Sequence, residues 1–202
     1  MPDDKPDPDE MRERLSKLSR DPRLEWHDRT DLNNPELELS ESAVLIPFTE
    51  RDGELHFLFT ERAHDMSTHS GEVSFPGGRK EQEDNSLVET ALREAYEEIA
   101  LVPSDVHVYG ALAEMPTITG FRITAYVGEF ESPYELIENE REIHQIFEAP
   151  LSVLAAPETH RLEDREWNGQ VFPVHFFDYE GHTIWGATGF LLFQLLQYLG
   201  LK

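Results

Sequence analysis

Phe75-Pro76-Gly77-Gly78-Arg79-Lys80-Glu81-Gln82-Glu83-Asp84-Asn85-Ser86-Leu87-Val88-Glu89-Thr90-Ala91-Leu92-Arg93-Glu94-Ala95-Tyr96-Glu97-Glu98-Ile99-Ala100-Leu101 is the stretch on which the fold of this chain turns. Its second half has helical spacing. Val88, Leu92, Ala95 and Ile99 form one apolar stripe. Ser86 followed by Glu89 fits a capping box, and Pro103 limits any continuation, so a helix is predicted over 86–99. At about 100° per residue, Glu94, Glu97 and Glu98 share a face nearly opposite the stripe. The stripe is therefore expected on a sheet, with the three carboxylates pointing away from it together. Like charges this close raise one another's cost of ionisation, and a hard divalent cation relieves that cost. Arg93 lies one helical turn from both Glu89 and Glu97 and can pair with either. On the helix alone, a solvated acidic face is the weightier reading in so acidic a chain. Gly77-Gly78 just before the helix shifts the balance, because a glycine pair lets backbone approach a phosphate or a metal closely.

The surrounding chain supplies a core for that helix. Ala43–Phe48 and Leu55–Thr60 read as strands joined by a turn at Arg51-Asp52-Gly53, a hairpin. Residues 63–78 read as a loop. Val106–Leu112 and Ile123–Phe130 read as strands, Pro133–Ile146 as acidic and partly helical, and Pro150–Leu154 as a short helix. Val171–Tyr179 reads as a strand before a turn at Glu180-Gly181. Ala187–Leu199 is apolar nearly all round and reads as a buried terminal helix. Upstream, Met1–Glu10 reads as a disordered tail, Met11–Ser19 as a helix and Asp21–Ser40 as an extended connection. The expected organisation is a tail, short helix and connection over 1–40, then one compact domain over 41–202.

Composition bounds the function. At 202 residues and 39% hydrophobic content the chain can bury a proper core. It has no cysteine, which removes disulfides, thiol nucleophiles and cysteine-based zinc sites. No run approaches the roughly 18 apolar residues of a membrane span, and the acidic, proline-rich start resembles no signal peptide. A cytoplasmic protein without membrane or nucleic-acid partners is expected. The net charge of -24 comes from 41 acidic and 17 basic residues. The acid is spread along the chain rather than blocked, which favours a halophilic-type surface over a cation-binding or partner-binding tract. The oligomeric expectation is a monomer or a homodimer.

Residues 78–101 resemble the Nudix box, in which a glycine precedes an Arg-Glu-apolar-any-Glu-Glu core. Arg93-Glu94-Ala95-Tyr96-Glu97-Glu98 matches that core. The spacing from Gly78 to Arg93 is one residue longer than the pattern. Asn85 stands where its first glutamate falls, with Glu83 or Asp84 in reach to substitute, and Ala100 replaces its final glycine. Leu58-Phe59-Thr60-Glu61-Arg62-Ala63 and His69-Ser70-Gly71-Glu72-Val73-Ser74-Phe75-Pro76-Gly77-Gly78 are similar to the signature that precedes the box in the coenzyme A pyrophosphatase branch. Met115-Pro116-Thr117, Gly120-Phe121-Arg122-Ile123-Thr124, Glu142-Ile143 and Ile184-Trp185-Gly186-Ala187-Thr188 resemble its later segments.

The resemblance implies an α/β fold, a Nudix-type α/β/α sandwich with a mixed β-sheet and a loop-helix-loop box. It implies a hydrolase of nucleotide-like diphosphates that uses Mg²⁺ or Mn²⁺ held by Glu94, Glu97 and Glu98, with the Gly78 carbonyl as a further ligand. Glu94 is the first choice of general base and Glu142 the second; for Glu142 the alternative is one more solvated acid. Arg62, His69 and Arg122, with the Gly77 backbone, are the expected substrate contacts, although a loop-ordering hydrogen bond accounts for His69 equally well. Coenzyme A or an acyl derivative is the leading substrate, cut to adenosine 3′,5′-bisphosphate and a 4′-phosphopantetheine product. ADP-ribose, NADH or a nucleoside triphosphate is the alternative within the same chemistry. A catalytically silent binding module of the same fold is the alternative from another class.

Overall fold

The structure is a computed structural model that describes residues 5–19, 39–63, 71–117, 119–167 and 169–202. In chain order the elements are α1 (Pro8–Leu15), β1 (Ser40–Arg51), β2 (Glu54–Arg62), β3 (Val73–Ser74), β4 (Gly77–Arg79), α2 (Leu87–Ile99), β5 (Val106–Pro116), β6 (Phe121–Phe130), β7 (Ile143–Pro150), α3 (Leu151–Ala155), β8 (His160–Trp167), β9 (Gln170–Tyr179), β10 (His182–Ile184) and α4 (Gly186–Tyr198). Seven strands form one mixed sheet along the path β3-β2-β1-β6-β5, with β4 added to β1 and β7 to β2. Among the described residues only β1 and β6 run parallel. A second, antiparallel sheet has the order β10-β9-β8.

The sheet is covered on both faces, which is why its inner strands read as continuous apolar runs. Ala43, Leu45, Leu58, Tyr126 and Phe130 face α2 through Ala91, Ala95 and Ile99. Ile46, Phe48, Phe57, Phe59 and Val127 face the other way, onto α1, α4 and the small sheet. Each fully buried aromatic there contributes roughly 1.5–3 kcal/mol of transfer free energy. Pro47, with no N–H to offer, falls between the β1 residues paired with β4 and those paired with β2. The β1–β2 hairpin turns at Asp52-Gly53, both at positive φ, as a tight two-residue turn requires.

The mixed sheet between helices is the expected fold class, with differences at the elements. The helix expected at Met11 begins at Pro8, inside the expected tail: Asp7 caps it by accepting from the Asp9 N–H at 2.9 Å, and Pro8 has φ preset for a first turn. Its Met11 and Leu15 are buried in the main core. Gly77 and Gly78 lie not in a loop but on β4, paired with β1. No helix forms between Pro133 and Ile146. The N–H groups of Ile137 and Asn139 instead donate to the Ile99 and Glu98 carbonyls at 3.1 and 2.8 Å, so this segment caps the end of α2 rather than bonding to itself. Strand β8 carried no expectation; its signal was Asn168-Gly169 between two runs of mixed polarity, a hairpin dipeptide. Most of 21–40 lies outside the described residues.

Candidate active site

Strand β4 is glycine because of what flanks it. A methyl group at Gly77 would run into the Ala43 carbonyl and Val44 of β1. One at Gly78 would run into the Glu94 carboxylate. The Glu94 side chain thus lies against bare backbone, sheltered at 15% exposure. Glu98, one turn on, is 3% exposed, whereas the Glu97 side chain is 52% exposed. The three carboxylates do not all point away from the sheet, as the helical projection implied. The buried face of α2 is centred on Ala91, Ala95 and Ile99, and Glu98, seven residues after Ala91, shares it. Val88 and Leu92 are only partly buried at its margin. The space left by the absent side chain of Gly78 admits the Glu94 carboxylate, which a pattern of apolar residues did not reveal.

This burial has electrostatic consequences. Burial, reinforced by Glu94 and Glu142, pushes the Glu98 carboxyl up to about 8, against the opposing pull of Arg62 and the Gly77 N–H. Glu98 Oε2 is buried with no hydrogen-bond partner. Burial also raises Glu94; Arg93 pulls it back, and Glu97 and Glu142 add to the rise.

Arg93 organises the box. Its Nε and Nη2 donate to Asp84 Oδ1 and Oδ2 at 3.0 and 3.1 Å, and Nη2 also reaches the Arg79 carbonyl at 3.0 Å. Its Nη1 lies 3.0 Å from both Glu94 Oε1 and Glu97 Oε2. Of the two partners open from sequence, it takes Glu97 and not Glu89. Asp84 further accepts from the Glu81 N–H and the Thr90 hydroxyl, each at 2.9 Å, and Arg93 first among these partners holds its carboxyl down at about 2. Asp84 rather than Glu83 therefore fills the place of the missing glutamate as the anchor of Arg93. Asn85 is an N-terminal capping partner: Glu89 Oε2 accepts from both its N–H and its Nδ2 at 2.9 Å. The box closes on Asn85 rather than on Ser86, whose Oγ accepts from the Glu89 N–H at 3.3 Å.

Glu142 stands in the turn before β7. Its N–H donates to the Asn139 carbonyl and its own carbonyl accepts from the Ala63 N–H, both at 2.8 Å. Glu94, Glu98, Glu142 and Arg62 are thus brought within electrostatic reach of one another. Arg122 pairs with Glu114 at 2.9 Å on the β5–β6 ladder rather than with this cluster. His69 lies outside the described residues. Asn139 was missed from sequence; an asparagine three residues before a candidate base, in a run of glutamates, was its only signal.

Among the described residues, no three carboxylate or imidazole groups stand ready-made in metal-gripping geometry. The donor set nonetheless fits a hard cation. It offers a buried carboxylate oxygen with no donor to satisfy it, a second sheltered carboxylate beside it, a third on the next turn, and backbone bare enough to approach. Among the described residues, no helix is long and apolar enough to cross a membrane.

The family model described as the NUDIX domain matches residues 39–177. The chain is 39% identical over 160 residues to Nudix hydrolase 15, mitochondrial, of Arabidopsis thaliana, covering 76% of this chain and 56% of that protein. The chain therefore spans little more than half the length of that relative. It is 33% identical over 174 residues to the uncharacterized Nudix hydrolase NudL of Enterobacter sp. (strain 638), covering 86% of this chain and 90% of that one. A crystal structure of a C. elegans Ap4A hydrolase binary complex aligns with a TM-score of 0.48 at 14% identity, over 56% of this chain and 81% of that one.

Proposed function

The chain belongs to the NUDIX domain family, and on that premise we propose that it is a divalent-metal-dependent pyrophosphohydrolase whose substrate is coenzyme A or an acyl derivative. The observation that carries the site is the buried, unpartnered Oε2 of Glu98, in the field of a Glu94 carboxylate that lies against the bare backbone of Gly78. Nudix hydrolases generally use Mg²⁺ or Mn²⁺. Here Glu94, Glu97 and Glu98, with the Gly78 carbonyl, would hold it. Such an ion neutralises charge on diphosphate oxygens and lowers the pKa of bound water.

The residues of the chain divide the remaining work. Arg93 keeps Glu94 and Glu97 together while Asp84 fixes Arg93. Glu142 accepts the proton of the attacking water. It is preferred to Glu94, whose Oε1 is engaged by Arg93 and whose carboxylate is assigned to the ion. Arg62, the cation whose field reaches Glu98, is the first phosphate contact; the Gly77 N–H, which donates to Glu98, must leave it to serve as a second. His69, on the sequence resemblance alone, and Arg122 are the further substrate contacts; Arg122 must leave Glu114 to serve. Coenzyme A is favoured over other diphosphates by the segments flanking the box, from Leu58 to Gly78 and from Met115 to Thr124.

The test is chromatography of products from coenzyme A, ADP-ribose, NADH and nucleoside triphosphates with Mn²⁺. Adenosine 3′,5′-bisphosphate from coenzyme A is the expected product. Turnover of ADP-ribose with coenzyme A untouched overturns the substrate. Absence of Mn²⁺-dependent turnover on every diphosphate, with ligand bound equally by wild type and Glu97→Gln, overturns the enzyme in favour of a binding module.

A further inference from the structure

The turn that carries Glu142 is built around one side chain. Asn139 makes contacts in three directions. Its N–H donates to the Glu98 carbonyl at 2.8 Å, at the end of the helix that carries the three glutamates. Its carbonyl accepts from the N–H groups of both Glu142 and Ile143 at 2.8 Å. Its side chain closes the arrangement, with Oδ1 accepting from the Arg141 N–H at 3.3 Å and Nδ2 donating to Glu142 Oε1 at 3.4 Å. The Glu142 carbonyl is pinned from the far side by the Ala63 N–H, one residue past Arg62.

We propose that Asn139 is a positioning residue for hydrolysis, fixing the Glu142 carboxylate against the C-terminal end of α2 so that a proton acceptor and the glutamate helix move as one body. This rests on the reading of Glu142 as the base. Two features of the residue type support it. A carboxamide donates to one oxygen of Glu142 and leaves the other for a proton, whereas a lysine or arginine in its place would neutralise the base. A general base also acts only within hydrogen-bond reach of its proton, so a misplacement on the order of 1 Å costs about a hundredfold in rate. The backbone of Asn139 anchors the turn whatever side chain it bears, so the side chain can be tested separately.

The experiment is a double-mutant cycle in the full chain with Mn²⁺ and the diphosphate substrate. Asn139→Ala removes both side-chain bonds. Asn139→Asp keeps an oxygen for the Arg141 N–H but loses the donor to Glu142, so it preserves the turn if the alanine variant loosens it. Both are expected to lower kcat by about tenfold or more, with KM within about twofold. In a Glu142→Gln background, neither is expected to lower the residual kcat further. Recovery of wild-type kcat in Asn139→Asp assigns the side chain to the turn alone and overturns the proposal. So does an equal fold-loss in the wild-type and Glu142→Gln backgrounds, while the loss caused by Glu142→Gln itself leaves the base assignment standing. A Glu142→Gln enzyme with unreduced kcat removes the base assignment and the proposal with it.

Discussion

Asp84 and Glu98 are both acidic and both sheltered, yet their surroundings push them apart. Asp84 is met by Arg93 on both oxygens and is held at about 2, below its ordinary 3.8. A carboxyl lowered on folding adds stability above its unfolded pKa and loses it as pH falls from about 4 toward 2. Asp84→Asn is therefore expected to cost on the order of 1–2 kcal/mol at pH 7, the difference from wild type closing below pH 3. Urea unfolding of both proteins across that range measures it, and a pH-independent difference would sink the ion-pair account. Glu98 runs the other way. In metal-free protein its folded carboxyl keeps a proton to about pH 8, while the unfolded chain releases it near 4.5. Its contribution therefore weakens as pH rises through that window. Glu98→Gln lacks this slope and is expected to gain on wild type by roughly 1–3 kcal/mol at pH 8 in chelator. Adding Mn²⁺ should reverse the order, since under the proposed assignment only wild type gains the ion's binding energy. Equal stabilisation of both proteins by Mn²⁺ would remove Glu98 from the metal site.

At the scale of elements, α2 is where the sequence was most and least informative. Its existence, its Ser86 cap and its Pro103 limit followed from local rules, because capping and periodicity act within a few residues. The tilt of its buried face did not, because that depends on β4 arriving from elsewhere in the chain, with the Glu94 carboxylate against the bare Gly78 and Glu98 accepting from the Gly77 N–H. The helix expected within Pro133–Ile146 does not form for the same reason: the N–H groups of Ile137 and Asn139 find the Ile99 and Glu98 carbonyls, distant in sequence. Asp84 stood among the residues in reach of the missing glutamate, but its choice over Glu83 needed the direction of the Arg93 side chain. The end of the helix yields a further prediction. Ala100 terminates α2 at φ 57° and ψ 24°, the left-handed cap where the family pattern has glycine. An alanine there carries strain that a glycine does not, so Ala100→Gly is expected to raise stability by about 0.5–1 kcal/mol with kcat unchanged. Thermal unfolding checks it; a loss of stability would mean that the lower entropy of unfolded alanine outweighs the strain.

Across the whole molecule the excess of acid sets the terms for everything else. Described cations are mostly engaged by acids: Arg12 by Glu50 and Glu129, Arg51 by Glu148, Lys80 by Glu41, Arg161 by Glu163 and Asp178. Pairing therefore consumes much of the described basic charge, and with 41 acidic against 17 basic residues in the sequence the surplus acid faces itself. The partly buried Arg12 network, which also takes in Tyr109 through Glu129, is shielded from salt, whereas the exposed surplus is not. Screening shortens from about 10 Å at 0.1 M salt to about 3 Å at 1 M, so added KCl should remove repulsion faster than it weakens the pairs. The melting temperature of the metal-free protein is expected to rise by roughly 5 °C or more between 0.05 and 1 M KCl. The same field opposes an anionic substrate before any contact with Arg62, so KM for the diphosphate should fall over that range while kcat changes little. Melting curves and initial rates at matched Mn²⁺ read the two effects independently. A melting temperature that falls with KCl would mean that attractive pairs, not surplus acid, dominate the surface. A KM that rises would mean that the local cations, not the global charge, govern the approach of substrate.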